Sequence, residues 1–210
     1  MNTTAKCEQI GKKYKQEWIF RHFDFTFESS QAYAIVGNNG SGKSTLMQML
    51  AGYAAPSKGK VIYEIDQKTV SNDTLFRYLA WCSPALELLL EMTLYEFLTF
   101  HFQFKPLVKD FIISQLIDAL DLKKAVHKPL IHFSSGMLQR VKLAICFYAD
   151  VPILLLDEPT TNLDTKGIDW YLEQMEQPHI LKKLVVVSSN QPHEYGFCNQ
   201  VIDIGSYKSV

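Results

Sequence analysis

Gly37–Thr45 reads GNNGSGKST. A glycine, four intervening residues and then Gly-Lys-Ser fit the pattern GxxxxGK[ST] at every fixed position. The flanks decide what that fit means. Ahead of it AYAIV (32–36) is a short apolar run with strand character, and behind it the spacing predicts a helix from about Lys43 to Ala51. A strand, a glycine-rich turn and a helix in that order point backbone N–H groups inward around phosphate oxygens, with the positive helix end behind them. In this reading Gly37, Gly40 and Gly42 let the chain curl, and Asn38, Asn39, Ser41 and Thr45 complete the nucleotide-binding loop. Lys43 reaches the β and γ phosphates, and Ser44 offers its hydroxyl to Mg²⁺. The alternative is a glycine-rich turn with an exposed lysine.

ILLLDEP (153–159) complements the loop. It is a short buried strand ending in two acids, and open parallel sheets bind ligands at their strand carboxyl ends. Asp157 is placed to hold Mg²⁺ through its water shell and Glu158 to polarise an attacking water. Without the phosphate loop, two such acids would read equally well as a solvated turn.

Around these motifs, strands alternate with helices. IFRHFDFTF (19–27), VIYEI (61–65), YLAWC (78–82), PILLL (152–156), LVVV (184–187) and VIDIG (201–205) read as strands. Helical spacing runs from Thr93 to about Leu122, broken at Pro106, and returns after FSSGM and near 165–176. That order predicts an α/β fold with a mostly parallel sheet covered by helices, a single domain over 1–210 with a helical subdomain inserted at about 85–150. With 21 basic and 22 acidic residues, no overall field attracts nucleic acid or an anionic surface. Four widely spaced cysteines, Cys7, Cys82, Cys146 and Cys198, form no metal-ligand cluster and suit a reducing compartment. The opening residues lack the apolar stretch of a secretory signal, and no run approaches the roughly 18 to 20 apolar residues of a spanning helix.

FSSGMLQR (133–140) precedes the apolar helical pattern VKLAICFYA. Ser134 suits a helix cap. Taken together, GNNGSGKSTL, FSSGMLQRVKLA, ILLLDEPTTNLD and VVVSSN resemble the ATP-binding cassette ATPases, the nucleotide-binding subunits of ABC transporters, in order and over essentially the whole chain. The resemblance implies a P-loop NTPase core with an antiparallel β piece near the N-terminus. It implies ATP and Mg²⁺ as cofactors, hydrolysis between two cassettes facing head to tail, and a separate integral-membrane transporter subunit. The location implied is cytoplasmic, peripheral to the inner face of the cell membrane. Ser134, Ser135 and Gly136 then face the γ-phosphate bound by the opposite cassette, and an acid introduced at Gly136 is expected to leave the helix intact. Asn162–Asp164 match the loop that crosses the dimer interface, though Asp164 equally suits a helix cap. Tyr14 matches the adenine-stacking aromatic, with Trp18 as the alternative. The membrane subunit's docking groove falls around 84–104, a stretch holding Phe97, Phe100, Phe102 and Phe104.

Four positions depart from the family pattern. Ala85 stands where a glutamine facing Mg²⁺ is usual, with Glu87 as a substitute or a helix-start acid. Ser135 and Met137 replace a glycine and a glutamine in the signature. Asn190 replaces the switch histidine; it can donate to a phosphate oxygen but cannot shuttle a proton. His193 reads as a surface residue. These departures leave two readings: an active transport ATPase using Glu158, Lys43 and Asn190, or a nucleotide-responsive cassette that hydrolyses weakly and needs a more active partner.

Overall fold

The computed structural model describes residues 2–208. β1 (Thr3–Tyr14) and β2 (Glu17–Glu28) form an antiparallel hairpin, and β3 (Gln31–Val36) leads through the glycine-rich loop into α1 (Lys43–Leu50). A second hairpin, β4 (Lys58–Ile65) and β5 (Lys68–Val70), precedes the short α2 (Asn72–Leu75) and β6 (Leu79–Cys82). Next come α3 (Leu94–Phe104), α4 (Ile113–Ala119) and α5 (Ser135–Phe147), then β7 (Ile153–Asp157), α6 (Thr165–Met175) and α7 (Pro178–Leu181). β8 (Leu184–Ser188), α8 (Pro192–Tyr195) and β9 (Gln200–Asp203) follow.

The strands make two sheets. One is antiparallel with order β2-β1-β4-β5; the other is parallel throughout with order β6-β7-β8-β3-β9. Every residue of β7 and β8 is buried, which is why PILLL and LVVV read as unbroken apolar runs rather than alternations. β1 has no counterpart in the sequence expectations. Its inward residues Ala5 and Cys7 alternate, but register shifts between Cys7 and Ile10, and again before Lys12 and Lys13, break the period of two, with Gln9 at φ 50. Lysines on its outer face obscure the rest.

Phe20, Phe23 and Phe27 of β2 pack with Ile35, Leu46, Met47, Leu155 and Val186, so the antiparallel sheet and α1 close one face of the parallel sheet. The helices of the 85–150 segment cover the other face around Leu94, Leu98, Leu116, Val141 and Phe147, in one core with Leu154, Leu156 and Val187. Thr93 caps α3 in a reciprocal pair with Glu96. Lys183, buried just ahead of β8, donates to the Phe147 and Ala149 carbonyls at 3.1 and 2.6 Å and so closes the C-terminal end of α5; burial pushes its ammonium pKa down to about 8. The consequence for function is positional. The ends of β3, β7 and β8 all open on the same edge of the parallel sheet.

Candidate nucleotide site

Gly37 leaves β3 at φ 142, Gly40 lies at φ 79, and Gly42, at φ 108, is the left-handed residue that starts α1. A Cβ on Gly37 would sit 2.7 Å from Ser41 Oγ, and one on Gly42 2.7 Å from Ile19 Cγ2, so both the backbone angle and the space demand glycine. Within this curl Lys43 is only 6% exposed. Its Nζ donates to the Gly37 carbonyl at 2.7 Å and to that of Asn38 at 3.4 Å. Asn190, just beyond β8, comes back to the same place: its Nδ2 donates to Asn39 Oδ1 at 2.9 Å. With its amide turned over, it instead accepts from Lys43 Nζ at 3.2 Å and donates to the Gly37 carbonyl at 2.5 Å. An open hollow of about 530 Å³ lies over Val36–Asn39, Asn190 and Asp203. Ser41 Oγ, within the loop, is buried without a partner, while Ser44 is exposed.

Asp157 ends β7 opposite Ser188 of β8 and is 4% exposed, with Oδ1 buried and unpartnered. Burial raises its carboxyl pKa; the Ser188 and Ser44 hydroxyls draw it back, the Glu158 charge raises it further and the Lys43 charge lowers it. An orphan carboxylate oxygen beside a serine hydroxyl is a hard-oxygen donor set of the kind Mg²⁺ takes, so these residues fit that ion. A raised native pKa means that stability is present when the acid is protonated and is lost as pH rises through the folded pKa. Asp157→Asn is therefore expected to raise the melting temperature of the nucleotide-free protein at pH 7. The advantage should shrink as the pH falls into the carboxyl range, and the variant should lose any further stabilisation that Mg²⁺ adds to ATP. A thermal melt series with and without Mg²⁺ reads both.

Glu158 follows, exposed, with φ 49. Its N–H donates to the Ser188 carbonyl at 2.9 Å. A positive φ is uncommon outside glycine and is held only where surroundings fix it. Lys43 and, more than a hundred residues later, Asp157, Glu158 and Asn190 thus meet at one edge of the sheet.

Tyr14 is 48% exposed at the β1–β2 turn, with Lys12 Nζ 5.3 Å from its ring centre. Trp18 is half-buried, crossed by Arg21 at 4.8 Å and backed by Gly11, where a Cβ would lie 3.1 Å from its ring. Of the two, Tyr14 has the freer face. Ser134 caps α5, accepting from the Met137 N–H at 3.2 Å, and Ser135 is exposed on its first turn. Gly136 is packed tightly: a Cβ there would lie 2.9 Å from the Asn162 carbonyl, which corrects the expectation that an acid at Gly136 leaves the helix undisturbed. Asp164 caps α6 by accepting from Gly167 N–H at 2.8 Å and faces Arg140 at 3.8 Å. These residues line a cleft of about 390 Å³ that shares no lining residue with the hollow over the phosphate loop. Ala85 and Glu87 are both exposed; Phe97 is buried, while Phe100 and Phe104 are exposed with ring centres 5.0 Å apart.

His193, at the surface, nonetheless reaches Thr160 Oγ through Nε2 at 3.1 Å, and the buried Glu194 beside it takes the Thr160 N–H at 2.7 Å. Neither Thr160, Glu194 nor Gln139, which donates to the Pro159 carbonyl at 2.8 Å, stood out in the sequence. Their partners lie 20 to 34 residues away, and no periodicity marks such pairs.

The sequence profile of the ABC transporter family matches residues 20–161. YxlF of Bacillus subtilis, an uncharacterised ABC transporter ATP-binding protein, is 31% identical over 202 residues, covering 93% of this chain and 65% of its own length. The lantibiotic transport ATP-binding protein SrtF of Streptococcus pyogenes is 28% identical over 190 residues, 88% of this chain and 79% of that protein. Among solved structures, a dimeric post-hydrolysis state of the ATP-binding cassette MJ0796 bound to ADP and Pi superposes with a TM-score of 0.79 at 20% identity, covering 96% of this chain and 95% of that one. The profile spans most of the chain, including the phosphate loop, the capped helix and the two acids, and the fold agrees: the chain belongs to the ABC transporter family, as one of its ATP-binding proteins.

Proposed function

We propose that the chain is the ATP-binding and ATP-hydrolysing subunit of a transporter, acting as a single cassette over 1–210 in which the 85–150 segment serves as the helical subdomain. The observation that carries this reading is the meeting of Lys43, Asp157 and Glu158 at one edge of the parallel sheet, beside a loop whose glycines leave room for phosphate oxygens.

The chain's residues divide the work. Backbone N–H groups of Gly37–Thr45 and the Lys43 ammonium bind the phosphates, and Tyr14 stacks on the purine. Ser44 and Asp157 hold Mg²⁺, which when bound neutralises charge developing on the phosphate oxygens. Glu158, exposed at the strand end, orients a water and accepts its proton. Asn190 donates its amide N–H toward the terminal phosphate without taking part in proton transfer.

The partners follow from what the chain itself contributes. Among the described residues no helix is long and apolar enough to cross a membrane. The membrane subunit that carries the solute docks, in this reading, against exposed Phe100 and Phe104 at the inner face of the cell membrane. A second cassette supplies Ser134–Gly136 to the nucleotide, and the dimeric state of the solved cassette supports that arrangement. With a net charge of −1 the chain offers no general attraction for nucleic acid.

A second reading rests on two observations: the exposed Ala85 has no amide to offer, and the switch position is Asn190. It describes a cassette that closes on ATP but turns over slowly without a more active partner. Steady-state phosphate release by the parent beside Glu158→Gln separates the two. Turnover that falls by about a hundredfold in the variant supports the active ATPase. Equal, negligible rates in both proteins, with ATP still bound, support the second reading.

A further inference from the structure

Glu158 holds a left-handed backbone ahead of Pro159, an arrangement that persists only if neighbouring contacts over-determine it. Three side chains converge on the two residues that follow it. Gln139 of α5 donates its Nε2 to the Pro159 carbonyl at 2.8 Å in a buried setting. Glu194 of α8, 2% exposed, accepts through Oε1 from the Thr160 N–H at 2.7 Å and from the Thr160 hydroxyl in a short contact. His193 Nε2 lies 3.1 Å from the same hydroxyl oxygen. A hydroxyl has one proton; given to the carboxylate, it leaves only lone pairs, so Nε2 of His193 carries the hydrogen it donates. Glu194 is itself fixed, since Tyr171 Oη donates to its backbone carbonyl at 2.8 Å.

We propose that Glu194, acting through Thr160, is a positioning residue that holds Glu158 in its working conformation and locks it to the segment carrying Asn190. Glu194 lies four residues after Asn190, and Thr160 two residues after Glu158. Their bond therefore ties the two elements that meet at the γ-phosphate position, while Gln139 ties the same loop to the helix that Ser134 caps. The inference rests on the hydrolytic reading above.

Four variants of the full chain test it: Thr160→Val, Thr160→Ser, Glu194→Ala and Glu194→Gln. Serine keeps the hydroxyl and glutamine keeps an Oε1 acceptor, so both should turn over ATP within about threefold of the parent. Valine should lower kcat about tenfold and alanine about thirtyfold or more, at unchanged KM and unchanged ATP-induced thermal shift, because a small misplacement of a catalytic group slows chemistry without weakening binding. Hydrogen exchange at the Thr160 and Thr161 amides should quicken in the same two variants while α1 stays protected. Should Glu194→Ala fail to fold, the Thr160 pair decides. Unchanged kcat in Thr160→Val overturns the inference, as does a fall in kcat accompanied by an equal loss of ATP binding, which marks a merely structural bond. A parent that binds ATP but shows no Glu158-dependent turnover overturns this inference together with the hydrolytic reading; a parent that turns over normally and is indifferent to Thr160 overturns this inference alone.

Discussion

Lys43→Ala should abolish most of the stabilisation that ATP and Mg²⁺ confer. A ligand that binds only the folded state adds stability by mass action, about 2.7 kcal/mol at a hundred times its dissociation constant. In a chain of this size that corresponds to a rise in melting temperature of about 5–10 °C. The Lys43 ammonium is the cation lying inside the phosphate loop, held by the Gly37 and Asn38 carbonyls, so its loss removes the charge facing the terminal phosphates. The substitution should cost the nucleotide-free protein little. Gly37 and Asn38 line an open hollow in which water can satisfy the freed carbonyls. The expected result is thus a variant that melts near the parent without ATP and gains less than about 2 °C with it. Equal shifts in both proteins would sink the phosphate-loop assignment.

The parts of this site visible in the sequence are those whose chemistry is local. The loop declared itself because two glycines, a lysine and a serine stand at fixed spacing between strand and helix, and Gly37 and Gly42 prove to be positions where no side chain fits. The Ser134 cap was legible for the same reason: donor and acceptor lie three residues apart. β1 was not legible, because bulges interrupt its alternation just where lysines crowd it. Gly136 shows the limit most clearly. As a sequence position it was a small residue in a helix turn; in the fold it is the point where α5 touches the Asn162 carbonyl, a contact set by a loop 26 residues away. Glu194 was hidden likewise, since a buried acid cannot be told from a surface one until its partner, Thr160, is known.

That contact at Gly136 decides how the cross-subunit role of α5 is best tested. An acid at Gly136 would confound charge with a clash, since any Cβ there lies 2.9 Å from a backbone oxygen. Ser135→Asp avoids this. Ser135 is exposed on the first turn of α5, next to the Ser134 cap that already satisfies the Met137 N–H, and an acid in a first turn complements the helix dipole. The variant should melt at or slightly above the parent and bind ATP in its own phosphate loop unchanged. Across a dimer the new carboxylate would face a polyphosphate in a dry interface, where like charges cost several kcal/mol. A penalty of about 4 kcal/mol weakens association roughly a thousandfold. In a Glu158→Gln background, chosen so that bound ATP persists, the parent should dimerise on adding ATP and Ser135→Asp should remain monomeric at the same concentration by light scattering. The control is Ser135→Asn, which is close to aspartate in size, leaves the Ser134 cap in place and adds no charge. It should melt near the parent and keep most of the ATP-driven dimerisation that Ser135→Asp loses. If Ser135→Asp dimerises as readily as the parent, the N-terminus of α5 faces no nucleotide, and FSSGM does no more than start a helix.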